Sequence, residues 1–87
     1  MKLTMIGSHL CQDTIYALMK VKDLGAEVDF KDISISFPAL KEFMKLREQS
    51  ELYIEVKKND GLGIPFFALE DGTQTLSLEE VLEHLRK

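Results

Sequence analysis

The stretch KLTMIGSHLCQDTIYALMKVKDLGAEVDFKDI, residues 2–33, decides the fold. Residues 2–7 read as a short, largely apolar strand ended by Gly7. From about Thr14 the apolar residues Ile15, Leu18, Met19 and Leu24 recur at the spacing of one helix face. Gly25 then stands where a left-handed C-terminal cap is expected. In residues 26–33, Val28 and Phe30 alternate with charged neighbours, as in a half-buried strand. Strand, helix and strand at this spacing predict a right-handed βαβ unit with parallel strands.

Working outward, Ser36 can cap a helix that has Pro38 in its first turn. Its expected inner face is Leu40, Phe43, Met44 and the stem of Arg47. Ser50 opens a second helical segment with Leu52, Tyr53 and Val56 inward, stopped by Asn59-Asp60-Gly61. The two segments read equally as one broken helix. Residues 64–69 and 73–76 then predict a hairpin turning at Asp71-Gly72. Ser77 with Glu80 forms a capping box for the last helix, which ends in His84, Arg86 and Lys87. The order β-α-β-α(α)-β-β-α predicts one α/β domain over residues 1–87: a four-stranded mixed sheet flanked by helices.

The 87 residues suffice for one small domain of modest stability. Apolar residues at 45% and charged residues at 30% suit a soluble globule. With a net charge of −4 and scattered lysines and arginines, nucleic acid and anionic membrane are not expected partners. No apolar run approaches the roughly 20 residues of a membrane span, and no signal peptide is visible. A single cysteine, Cys11, excludes an intramolecular disulfide, so the fold needs no oxidising compartment and the expected location is cytoplasmic. A monomer is expected. No His/Cys/Asp grouping has metal-ligand spacing, so no metal is expected.

The βαβ and ββα halves, with a cysteine opening the first helix, resemble the thioredoxin fold, and within it glutaredoxins. The likeness spans nearly the whole chain. Cys11 falls at the nucleophilic cysteine of the Cys-Pro-Tyr-Cys motif, read here as CQDT, and Gly63-Ile64-Pro65 falls where that family has a cis-proline. The resemblance implies a monothiol thiol-disulfide oxidoreductase or thiol-transfer protein, with Cys11 as nucleophile and Thr14 beside it. It implies substrate-binding positions at Ser8, His9, Gln12, Gly63, Ile64, Pro65 and Ser77. No tightly bound cofactor is implied; glutathione or another low-molecular-weight thiol, or a protein disulfide, is the implied partner. Thr14 replaces the second cysteine, so exchange must be completed by an external thiol. Ser8 replaces the glutathione-anchoring lysine, Gly63 replaces a threonine, and TLSLEE replaces the Gly-Gly and Asp that open the last helix.

A helix start favours the thiolate, the reactive form, and Thr14 can donate to it, while the Asp13 carboxylate opposes it. Against this stands a small packed cysteine with no chemistry. His9 reads either as a proton carrier or as a loop residue whose direction nothing fixes. Gly63 and Pro65 read as room for a substrate backbone or simply as the start of a strand. A second function class is a non-catalytic adaptor using a groove between Cys11, Ile64-Pro65 and Ser77. An arsenate-reductase-like chemistry wants an arginine soon after the cysteine, and QDTIY supplies none.

Overall fold

Alternation along the first strand sends its side chains to two separate cores, one on each face of the sheet. The computed structural model describes residues 1–87. Its elements are β1 (Lys2–Gly7), α1 (Gln12–Asp23), β2 (Glu27–Asp32) and α2 (Phe37–Gln49). A 3-10 turn (Glu51–Tyr53) runs into α3 (Ile54–Lys58), followed by β3 (Phe66–Leu69), β4 (Gln74–Thr75) and α4 (Leu78–Arg86). The sheet order is β2-β1-β3-β4, with β1 and β2 parallel and the other pairs antiparallel. The fold is thus an α+β domain with a four-stranded mixed sheet, in the element order that the sequence predicts.

Leu3 and Met5 of β1, with Phe67 and Leu69 of β3, bury against Ala17 and Val21 of α1 and Val81 of α4. On the other face, Ile6 and Phe66 bury against Phe43 of α2 and Tyr53 of the 3-10 turn. Phe43 and Tyr53 meet edge to face, with ring centroids 6.1 Å apart. Full burial of one such aromatic or aliphatic side chain contributes about 1.5–3 kcal/mol, so both faces are needed to hold a domain this small.

Local chemistry accounts for the element ends. Ser36 Oγ accepts from Ala39 N, and Ser50 Oγ accepts from Leu52 N, as N-caps. Ser77 Oγ accepts from Glu80 N, but Glu80 does not return to the Ser77 amide as a capping box requires. That amide donates to Thr75 Oγ1, whose hydroxyl donates to Glu80 at 2.8 Å, so the box closes through Thr75. Gly25 has the positive φ of the expected cap, 84°.

Several inward assignments are corrected. In α1 the buried residues are Thr14, Ala17 and Val21, with Leu18 half-buried, while Ile15, Met19 and Leu24 are exposed. The buried face of α1 carries the smaller side chains Thr14, Ala17 and Val21, and the bulkier apolar residues turn outward. In α2, Ala39 joins Phe43 inside and Met44 is exposed, since 39, 40, 43 and 46 form the packed stripe. Leu52 is likewise exposed. Ile64 and Pro65 precede β3 rather than opening it, and their peptide bond is cis.

No helix is long and apolar enough to cross a membrane.

Candidate functional site

The turn from β1 into α1 is built by Ser8. Its carbonyl accepts from Cys11 N at 3.0 Å and its Oγ accepts from Leu10 N at 3.0 Å. Its amide donates to Thr14 Oγ1 at 3.4 Å, and its hydroxyl shares a short hydrogen bond with Ser34 Oγ. Ser8 is buried and shapes the turn from inside instead of lining a surface. Thr14 is also fully buried, with its hydroxyl at the Ser8 amide rather than aimed outward. Thr14 is why residue 7 is glycine: a Cβ there would lie 2.6 Å from Thr14 Cγ2 and Oγ1.

Cys11 is the N-cap of α1, in extended backbone conformation, and its carbonyl takes the first helical bond from Ile15 N. The side chain makes no capping bond, leaving the half-exposed thiol free. Cys11 shares a hollow of about 310 Å³ with His9, Leu10 and Gln12 from the turn and Ile15, Tyr16 and Met19 from α1. The apolar walls are unusually open: Leu10 is 77% exposed, Met19 61%, Tyr16 55% and Ile15 37%.

His9 is not a loop residue free to point anywhere. Its Nδ1 lies 2.8 Å from Asp32 Oδ2, and Asp32 Oδ1 accepts from Ser34 N at 2.9 Å. Burial pushes the Asp32 carboxyl up, but the Ser34 amide, the His9 ring and the His9 amide outweigh it and hold Asp32 below the ordinary carboxylate value. An ionised Asp32 keeps the proton on His9 Nδ1, leaving Nε2 as the ring's free nitrogen. Asp32 and Ser34 were not recognised as site residues from sequence. The available signal was Asp-x-Ser at a strand end, the pattern of an Asx-turn.

The residues expected to form one groove divide into separate places. Ile64 and Pro65 line a second hollow of about 250 Å³ with Asp13, Tyr16, Ala17, Leu76 and Leu78. Tyr16 is the wall common to both hollows. Ser77 caps α4 at the surface and Gly63 lies outside both hollows. Gly63 has φ +80, and a Cβ on it would fall 2.2 Å from Tyr53 Cε2, while Tyr53 Oη donates to its carbonyl at 2.7 Å. Arg47 Nη2 donates to Gly61 O at 2.7 Å, so α2 and the 3-10 turn together hold the segment leading to Pro65. No three His, Cys, Asp or Glu side chains are grouped to hold a metal ion.

The site therefore defines a class by geometry alone: a small α+β domain with one free thiol at a helix N-cap, beside an oriented imidazole. The chain is similar to an uncharacterized protein of Haemophilus influenzae, 35% identical over 74 residues that span 85% of this chain and 86% of that one. It belongs to the family of that protein. No family model matches the chain. No solved structure matches it either.

Proposed function

We propose that this chain is a glutaredoxin-like protein of the thioredoxin-fold class that exchanges disulfides through the single thiol of Cys11. The observation that carries the reading is Cys11 at the N-cap of α1, unbonded and open, sharing its hollow with a His9 ring oriented by Asp32. The element order and the mixed sheet are compatible with that fold class.

The Cys11 thiolate attacks one sulfur of a substrate disulfide. A new sulfur–sulfur bond forms to Cys11, and the other substrate sulfur departs as a thiolate. The His9 ring, oriented by Asp32, can relay a proton through Nε2 to that thiolate. An external thiol then attacks the mixed disulfide, releasing Cys11 and taking the substrate sulfur into a new disulfide. A second external thiol carries the transfer to full reduction, so two thiols are oxidised as one disulfide is reduced. Such a cycle suits a reducing compartment such as the cytoplasm.

The test is to mix the protein with an excess of a small disulfide and measure intact mass. The expected result is one adduct per chain on Cys11, reversed by added thiol and absent in Cys11→Ser. An unmodified wild-type chain under conditions that modify free cysteine would overturn the reading.

A non-catalytic binding module is a second reading, favoured by the open apolar walls of Leu10, Tyr16 and Met19. It expects partner binding to survive Cys11→Ser undiminished.

A further inference from the structure

We propose that the open edge of β2 pairs with the same edge of a second copy, antiparallel about a two-fold axis at Phe30. The inference is independent of the exchange reading, because no β2 residue lines the hollow that holds the Cys11 thiol. The sheet order β2-β1-β3-β4 leaves two edges, and they are unequal. β4 has two residues, whereas β2 has six. An open strand edge is a template for another strand, and folds blunt it with a proline, a bulge, a free lysine or a very short strand. β2 has no proline, and its register with β1 is one-to-one from Glu27 to Asp32. Its one lysine, Lys31, is already bonded to Glu42 at 2.8 Å.

The pairing with β1 dictates which backbone groups face outward. Glu27 N donates to Met1 O and Ile33 N donates to Gly7 O, so the odd-numbered residues turn toward β1. Val28, Phe30 and Asp32 therefore turn their amides and carbonyls to the open edge. Ser36 N donates to Asp32 O at 3.0 Å, which leaves both groups of Val28 and Phe30 and the Asp32 amide for a partner.

Charge then selects the register. Two-fold pairing must set outward groups opposite each other, so a centred axis passes through Asp29, Phe30 or Lys31. An axis at Asp29 sets two carboxylates directly opposite, and an axis at Lys31 sets two ammonium groups opposite; both are destabilising. An axis at Phe30 sets Asp29 of each copy opposite Lys31 of the other and pairs the two Phe30 residues across the interface. Each end of the paired edge also matches Ile35, 77% exposed just past β2, with Leu24, 41% exposed just before it. A contact of this kind is self-complementary and closes at a dimer.

Sedimentation equilibrium of the whole chain in excess reductant, from about 5 µM to about 1 mM, reads the association directly. A six-residue edge on copies of net charge −4 should give a weak dimer, dissociating at tens to hundreds of micromolar. D29K and K31D each set like charges opposite and should weaken it at least about tenfold. Mixed in equal amounts, the two variants bring opposite charges together at both contacts and should associate about as tightly as wild type. A folding defect in either variant could not produce that rescue. The Val28 and Phe30 amides should exchange hydrogen more slowly as concentration rises, while those of Asp29 and Lys31, already bonded to β1, should not change.

A chain that stays monomeric to about 1 mM would overturn the proposal and leave the exchange reading standing. A dimer that D29K and K31D leave intact, or a mixture of the two that stays monomeric, would also overturn it. So would a dimer abolished by Cys11→Ser or Tyr16→Ala, by assigning the contact to the thiol hollow.

Discussion

His9 Nδ1 lies 2.8 Å from Asp32 Oδ2, so the turn that carries Cys11 is pinned to the end of the neighbouring parallel strand. Gly7 and Asp32 are register partners in β1 and β2, which places the carboxylate beside the turn without any long loop. The pairing gives the ring one orientation and ties the thiol's loop to the sheet. Asp32→Asn is expected to cost about 2 kcal/mol at pH 7, since it removes a buried hydrogen-bonded carboxylate. Because the folded-state pKa of Asp32 is lowered, its contribution is present above the unfolded value of 3.8 and is lost as pH falls through the folded value. Urea unfolding curves of wild type and variant should therefore converge in acid. Convergence at neutral pH instead would show that the pair does not hold the turn.

His9→Gln separates the ring's chemistry from its packing. The ring is about half exposed, so stability should change by less than about 1 kcal/mol. Disulfide exchange with a poor leaving thiol should slow by about tenfold or more, and exchange with an acidic leaving thiol, which needs no proton, should slow far less. Equal slowing with both leaving groups would remove His9 from proton transfer.

Gly63→Ala should be among the most damaging single substitutions in the chain. It forces a side chain into left-handed backbone and drives its Cβ into the buried Tyr53 ring. The expected loss is about 3 kcal/mol by denaturant titration. A loss below about 1 kcal/mol would mean that the segment before Pro65 moves freely away from Tyr53.

Tyr53 provides a pH test on the alkaline side. Burial, opposed by the Arg47 charge, pushes its phenol up to about 12 from 10.0. The stability tied to this difference is complete below pH 10 and is lost as pH rises through about 12, about 2–3 kcal/mol in all. Tyr53→Phe should cost about 1 kcal/mol at pH 7 through the lost bond to the Gly63 carbonyl, and should flatten the alkaline decline. An unchanged slope in the variant would assign that decline to other groups.

The course of the chain was legible because its punctuation is local. Ser36, Ser50 and Ser77 cap the helical segments that they announce, and Gly25 closes α1. What misled was the choice of face within α1. Apolar periodicity selected Ile15, Leu18, Met19 and Leu24, of which only Leu18 packs against the core, whereas Thr14, Ala17 and Val21 are the buried ones. Hydrophobicity does not reveal that the smaller residues of a helix are the ones turned inside. Turned outward, Ile15 and Met19 become walls of the Cys11 hollow. Cys11 itself was legible from its position between strand and helix. Asp32 and Ser34 were not, because their contacts to His9 and Ser8 exist only once β2 lies beside β1. That Tyr16 would line both the Cys11 hollow and the Ile64-Pro65 hollow was equally invisible, since no spacing encodes which way a ring projects.

Disulfide exchange by Cys11, as proposed, is tested most directly by thiol-driven reduction of a peptide mixed disulfide with wild type and Cys11→Ser. Wild type is expected to accelerate the reaction at least about tenfold above the uncatalysed thiol rate, and Cys11→Ser, folded by circular dichroism, to return it to that rate. Equal rates for wild type, a folded Cys11→Ser and the protein-free reaction would contradict it.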